Sequence, residues 1–405
     1  MEDLDSQRPT AADPHTASPT SGGGSRRTAA SLSALTLGTF SVGLAEYILI
    51  GQLDLVSHGL GVTAALSGQL VTVFSLAYAI LTPLLVAVLG RVSRRLILTV
   101  GLALFAATNL ISFILPDFWS FAAVRILMAA AGGLVVVTSI ASVDRVVPAS
   151  LTGRGIATVQ MGFTAALILG VPLGRILAEA AGWRSVLLVI AVLSAISLVL
   201  VRAILPSMPG EPSATVADQL RLLGRRSVLV GLAITLLWLG GYSLAYTYLT
   251  PYLLEPVGAT GDTVTLVLFL FGLASLIGTQ LGGAITDRRG HHVALVVTKS
   301  VHVLALLALP LFAGAVGGSI AILIIWSLAA WGSAAPQQMR VSSLEPSAAP
   351  MLIGLNQSTM QLGIAMGAGG GGALVAMFGV GILPWIAAAA VLASLILTIA
   401  AARRV

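Results

Sequence analysis

The stretch GTFSVGLAEYILIGQLD, residues 38–54, is almost wholly apolar, yet it carries Glu46 near its centre and Asp54 at its end. An ionisable side chain at bilayer depth costs about 2.5–3.5 kcal/mol even on the mildest scale, so it marks an ion pathway or proton relay by default. A second embedded charge, Arg125, lies within the apolar run 119–141. At about 1.5 Å of helix rise per residue, Arg125 sits ~9 Å in from the end of its run and Glu46 ~12 Å from Asp54, so Glu46 and Arg125 share a depth. A carboxyl moved between an apolar setting and a cation changes its hold on a proton. That suits Glu46 to loading and releasing a proton, with Asp54 as a further candidate. The alternative for Glu46 is a structural ion pair or polar contact that fixes helix packing. For Asp54, an acid at the wet end of a helix needs no special reason.

The elements that carry these charges follow from composition. Hydrophobic residues make up 57% of the 405 and charged residues 9%, whereas soluble domains carry roughly 25% charged. Mean hydropathy is +1.01. Lipid must solvate such a chain. Apolar runs long enough to cross a ~30 Å hydrocarbon core recur about twelve times. They cover residues 33–54, 67–89, 96–115, 119–141, 155–178, 184–205, 228–254, 263–285, 293–313, 317–339, 352–378 and 381–402. Their unbroken length predicts helices, because barrel strands alternate over about ten residues. Residues 1–30, rich in Ser, Thr, Pro, Gly and Ala, predict a disordered cytoplasmic tail. With an acidic start and no short apolar core, the tail is not a secretory signal.

There is no cysteine, which excludes disulfides, thiol nucleophiles and cysteine-bound metals. The net charge of +6 is spread between apolar runs and reports topology, with no nucleic-acid partner. With the N-terminus inside, the inner segments hold clusters such as Arg26 and Arg27, Arg225 and Arg226, and Arg288 and Arg289; the outer ones hold Arg175 and Arg184. Positive residues are retained on the cytoplasmic side, so both termini are expected there, in a multi-pass cell-membrane protein. Trp119, Trp183 and Trp385 open runs on the outer side, as interfacial anchors do.

The segment LPSMPGEPSATVADQLRLLGRRS, residues 205–227, divides the runs into two equal sets, the layout of a transporter built from two repeats. The expected domains are residues 31–205 and 228–405, joined by a cytoplasmic linker over 206–227. LGRVSRRL follows the second run and GGAITDRRGHH the eighth. In these loops the chain resembles the Major Facilitator Superfamily, whose signature there is Gly, three residues, Asp, a basic residue, one residue, Gly and further basic residues. The second copy matches at Gly283, Asp287, Arg288 and Gly290, with His291 and His292 as the trailing residues. The first has Gly90 at the Asp position and Ser93 at the Gly position, but keeps Arg91, Arg94 and Arg95. Such loops imply a cytoplasmic latch between the halves; the alternative is that the charges only set topology. The resemblance implies an all-α fold of twelve membrane helices in two six-helix pseudo-repeats.

It narrows to the drug/proton antiporter branch, similar to bacterial exporters of sugars, nucleosides and chloramphenicol-type drugs, through AEYILIGQL, GVPLGRILAEAAGWRSVL and LNQSTMQLGIAMGAGGGGAL. Asp54 stands where the branch usually has Pro. Gly162, Gly170, Pro172 and Gly174 resemble the antiporter motif of the fifth helix, with Arg175 in place of a small polar residue. Close packing alone is the other account of those glycines. Arg125 resembles the embedded arginine of the fourth helix, to which the superfamily assigns proton transfer.

Trp238, Tyr242 and Tyr246, four residues apart, form one stripe. Facing a central cavity, it would suit a ring-containing cargo, with Gln337, Asn356 and Gln361 as hydrogen-bonding groups; facing a helix or lipid, it is packing. Lys299 and His302 share a face, and Lys299 is expected to snorkel to the inner surface. Neither implies a metal site. The residues therefore predict a monomeric, proton-coupled transporter needing no cofactor beyond a proton gradient, with small-molecule cargo, protons and lipid as its partners. Export of neutral or cationic organic molecules by alternating access is the leading expectation. A nutrient importer and a non-transporting sensor are the alternatives, and no enzyme constellation is found.

Overall fold

The computed structural model describes residues 22–148, 151–210 and 216–402. The expected tail lies outside these residues as far as Ser21. From Gly22 the chain is already helical, because Arg and Ala are strong helix formers. The membrane helices are α1 (Gly22–Gly51), α2 (Ala64–Leu89), α3 (Arg94–Ile114), α4 (Phe118–Ala141), α5 (Thr152–Ala181) and α6 (Ser185–Ile204). After the connector, which carries a short helix at Val216–Leu223, comes α7 (Arg226–Tyr246). A helical run over Gly261–Phe312 follows, 52 residues long. It is two spans, because Gly290 has φ 81° and ψ 158° inside it and reverses the chain. These are α8 (261–289) and α9 (291–308). The set closes with α10 (Val316–Ser343), α11 (Ala349–Phe378) and α12 (Leu383–Ala402).

Within the first half α1 packs on α4, α5 and α6, and within the second α7 packs on α11 and α12. Two helix pairs join the halves. They are α2 with α11 and α5 with α8, the second helix of each half against the fifth of the other. Small residues permit the approach, as in other membrane interfaces. A Cβ on Gly272 of α8 would lie 2.7 Å from the Ile168 Cα of α5. A Cβ on Gly372 of α11 would lie 2.9 Å from the Ala65 carbonyl of α2. We call the end of the bundle bearing residue 22 and the connector the terminal end, and the opposite end distal.

Several elements depart from the sequence expectation. The first run is not one helix to Asp54: α1 ends at Gly51, Gln52 leaves helical geometry (φ −134°, ψ 29°), and Asp54 belongs to a separate turn, Leu53–Leu60. The seventh run divides likewise, with Leu249–Leu254 apart from α7. Helix α5 contains a π-helical turn at Ala166–Gly170 just before Pro172, the bend expected where proline removes a backbone donor. Trp183 is not an interfacial anchor. It is 6% exposed, edge-on to Phe121 at 5.6 Å, whereas Trp119 is 73% exposed.

Gly290 occupies a region of backbone space that is almost glycine-only, and strain there costs about 1–3 kcal/mol for other residues. Gly290→Ala is therefore expected to lower stability by about that amount in thermal unfolding of the purified protein. Gly283→Ala, whose Cβ would meet no atom within 4 Å, is expected to be near neutral.

Candidate functional site

Glu46 is 2% exposed in the distal half of α1. Its Oε1 accepts a hydrogen bond from Gln361 Nε2 of α11 at 3.0 Å, and Oε2 has no hydrogen-bond partner among the described residues. The interaction crosses between the halves, so the carboxylate sits where the two sets of helices meet. Arg125 of α4 lies within electrostatic reach of Glu46 without forming an ion pair. Its Nε donates to the Leu70 carbonyl at 3.0 Å and Nη1 to that of Ala45 at 3.2 Å. The guanidinium stacks on Phe74 at 4.5 Å, and Nη2 is unpartnered. Tyr47 and Tyr78 are also within electrostatic reach of Glu46.

Asp54 is separate from this centre. Both of its oxygens are held by Arg175 of α5, at 2.8 and 3.1 Å. Arg175 also donates to the Gly51 carbonyl at 3.0 Å, and its Nε lies 2.9 Å from Glu179 Oε1. Asp54 and Arg175, each a departure from the branch pattern, thus form one pair that clamps the end of α1 to α5.

The aromatic stripe of α7 is buried and faces other rings. Tyr242 and Tyr246 stack at 5.0 Å, Tyr246 stacks on Phe271 at 5.0 Å, and Trp326 meets Phe271 edge-on at 5.1 Å. Trp331 Nε1 donates to the Tyr242 hydroxyl at 3.2 Å. Trp238 is 3% exposed, with its indole N–H unpartnered. The polar candidates divide. Gln361 belongs with Glu46, whereas Gln337 and Asn356 both bond Thr235, at 2.8 and 2.7 Å.

The glycines of α5 face α1. A Cβ on Gly162 would collide with the Thr36 carbonyl, one on Gly170 would lie 2.6 Å from Leu44 Cδ1, and one on Gly174 would strike Ile48. In the loops, Arg94 holds Asp144 at 2.9 Å and the Ala141 carbonyl, and Arg95 holds the Arg202 carbonyl. These bonds tie helices within one half, whereas the latch reading expected bridges to the other. Arg91, Asp287 and Arg288 are exposed. Among the described residues no group of three or more His, Cys, Asp or Glu could hold a metal.

Sequence reading missed the distal contacts between the halves. Thr250 donates to the Ile50 carbonyl at 2.6 Å, and Gln69 to that of Gly369 at 3.3 Å. Tyr248, bonded to the Ala368 carbonyl at 2.8 Å, fills the space left by Gly68, Gly371 and Gly372. The glycine run GAGGGG was the available signal. Lys299 corrects the snorkelling expectation: it is 0% exposed and turned inward to Ser394 and Thr398 of α12.

Two sets of six membrane helices, joined around a buried carboxylate, are the arrangement of a membrane transporter. The Major Facilitator Superfamily pattern matches residues 35–367, and the chain belongs to that family. Its relatives include the uncharacterized MFS-type transporter YbcL of Bacillus subtilis (strain 168), 43% identical over 362 residues, covering 89% of this chain and 93% of that one. The inner membrane transport protein YdhP of Escherichia coli (strain K12) is 31% identical over 350 residues, 85% of this chain and 88% of that one. Among solved structures, a D-xylose-proton symporter has TM-score 0.74 at 17% identity, covering 91% of this chain and 96% of its own. The nucleoside transporter NupG has TM-score 0.74 at 15% identity, covering 92% and 99%. Both show the fold. The chain is therefore a multi-span membrane transporter of small molecules and not an enzyme.

Removing one partner of a buried pair leaves the other charge uncompensated, at about 3–5 kcal/mol. Asp54→Asn and Arg175→Gln are each expected to lower thermal stability. The double variant is expected to lose less than the sum, because Asp54, the acid that Arg175→Gln alone strands, is then neutral as well. Additive losses would show that the pair is not coupled.

Proposed function

We propose that the chain is a proton-coupled exporter of small neutral or cationic organic molecules that carry rings. The observation that carries this reading is Glu46, fully enclosed, bonded across the halves to Gln361 and within electrostatic reach of Arg125. While Glu46 is ionised, the Gln361 bond is charge-assisted, and such bonds are about twice as strong as neutral ones. A proton on Oε2 weakens that tie and removes the charge that Arg125 attracts. One protonation thereby changes how firmly α1 holds α11, which is the condition for a proton to bias alternating access.

Export is favoured by the likeness to the exporter branch and by the glycine and proline pattern of α5. The arginine clusters support cytoplasmic termini, with the distal end outside. The hydrogen bonds joining the halves in the distal region then describe a conformation closed on its outer side. The rings around Tyr242 and Phe271 supply a wall for flat cargo, and the unpartnered indole N–H of Trp238 is a free donor beside it.

In inverted vesicles under an imposed pH gradient, a panel of drugs, nucleosides and sugars is expected to include a compound that accumulates in exchange for protons. Glu46→Gln keeps the size and polarity of the side chain but cannot titrate. Gradient-driven accumulation should be lost while equilibrative counterflow persists; accumulation at the wild-type rate would make Glu46 structural. Tyr242→Ala removes a stacking surface worth about 0.5–1.5 kcal/mol, so ring-containing cargoes should weaken several-fold while proton movement without cargo is unaltered. A uniform loss across all cargoes, with reduced membrane expression, would place the rings in packing alone.

A further inference from the structure

Lys299 lies in α9 about nine residues beyond the Gly290 turn, or ~13 Å into the bundle. It is 0% exposed, and among the described residues no carboxylate pairs with it. Its Nζ donates to Ser394 Oγ at 2.9 Å and Thr398 Oγ1 at 3.1 Å. Neither hydroxyl has a second proton to offer, since Ser394 donates to the Ile234 carbonyl at 2.8 Å and Thr398 to its own helix at Ser394 at 2.7 Å. The nest thus offers two acceptors and no negative charge. A neutral amine has two N–H groups to give and an ammonium three, so this geometry fits the neutral form.

One turn further along the same face, at the i+3 position, His302 is also fully buried. Its Nε2 accepts from Trp326 Nε1 at 2.7 Å, which assigns the ring proton to Nδ1, and Nδ1 has no partner. Trp326 in turn packs on Tyr242 at 5.8 Å and on Phe271. No hydrogen bond joins His302 to Lys299, but the two are within electrostatic reach of each other, so His302 stands between Lys299 and the aromatic wall. The charged group on the other side is Arg340 of α10, 8% exposed and within electrostatic reach. The contacts of Nζ itself are the two hydroxyls of α12. A purely structural tie between α9 and α12 would be made by an amide or hydroxyl with no ionisation cost, whereas lysine can take and release a proton.

We propose that Lys299 is a second proton-binding site, seated in the other half from Glu46. It is empty of its proton in this distal-closed conformation and loaded when movement of α9 against α12 gives Nζ a third acceptor. Through its charge, its occupancy is felt by His302, which Trp326 holds against the aromatic wall. The step is a single proton transfer, amine to ammonium on loading and the reverse on return. The idea goes beyond the role given to Glu46 but rests on the same alternating access.

The native chain has no cysteine, so one introduced thiol reports alone. Leu268→Cys, 2% exposed where α8 meets the end of α1, reads opening of the distal end through its reactivity with a membrane-impermeant maleimide. In the full-length protein in proteoliposomes, reactivity followed against pH is expected to change in two steps. Lys299→Met should lose one step and keep the other, and Glu46→Gln should do the converse. Lys299→Arg, permanently charged, should hold reactivity on the protonated side of the lost step throughout. Retention of both steps in Lys299→Met and in Lys299→Arg would overturn the proposal. Loss of the Lys299 step alone, with Glu46→Gln unchanged from wild type, would support it while removing the reading of Glu46. Should Lys299→Met fail to insert, Lys299→Gln gives the same comparison.

Discussion

The hydrogen bond from Gln361 to Glu46 is where the energetics of this protein concentrate. In hydrocarbon no water supplies missing partners, so a polar group in a membrane helix must be satisfied by the protein or remain at a cost. The partner that satisfies Glu46 belongs to the opposite half of the molecule. Movement of one half against the other would therefore remove the one hydrogen bond that the acid makes among the described residues. The flanking contacts make such movement possible: α2 with α11 and α5 with α8 are related by the repeat, and both meet through glycine and backbone. Surfaces of that kind bring the helices close, with Tyr248 the large side chain seated between α2 and α11.

The buried charges follow two different patterns. Arg175 has an oxygen within reach of each nitrogen, from Asp54, the Gly51 carbonyl and Glu179, and those two acids retain some exposure. The Nε of Arg175 is paired by charge with Glu179 without a hydrogen bond, and the guanidinium fixes the end of α1 against α5. Glu46 and Arg125 each keep an unpartnered atom, and so does the neighbouring Gln361 through Oε1. A half-satisfied network in a low-dielectric setting is costly, and it responds strongly to one added proton. Asp54 is thus paired with a cation and Glu46 only with an amide, although in sequence both are acids of one apolar run.

The membrane helices were legible because apolar length is a local property, and Gly290 was legible because a loop reversal requires a residue free to take positive φ. The glycines of α5 were also legible, since each leaves room for a named atom of α1. Pairings between distant positions were not. Nothing local in Asp54 or Arg175 announces that they meet, and Lys299 seen alone invites the snorkelling account because the hydroxyls that hold it are nearly a hundred residues further along. Trp183 misled for the same reason: an indole at a helix end anchors at the interface by default, unless Phe121 and the close approach of Gly59 enclose it. The break at Gln52 was hidden because the apolar run continues through it unchanged.

That break shapes how α1 works. A helix end leaves its last four carbonyls without intrahelical donors, and ending α1 at Gly51 releases them deep inside the distal region. Two of the released carbonyls are taken by side chains from different halves. Arg175 of α5 binds that of Gly51, and Thr250, beyond α7, binds that of Ile50. A helix running unbroken through Leu55 would have used both internally and offered neither half a grip. Of the two bonds, the one from Arg175 is charged, reinforced by Asp54 and confined to one half, whereas the one from Thr250 is a single neutral hydroxyl that crosses the joint. Opening of the distal end should therefore part α1 from Thr250 first and leave it attached to α5. Glu46, less than two turns back along the same helix, then travels with the first half and away from Gln361.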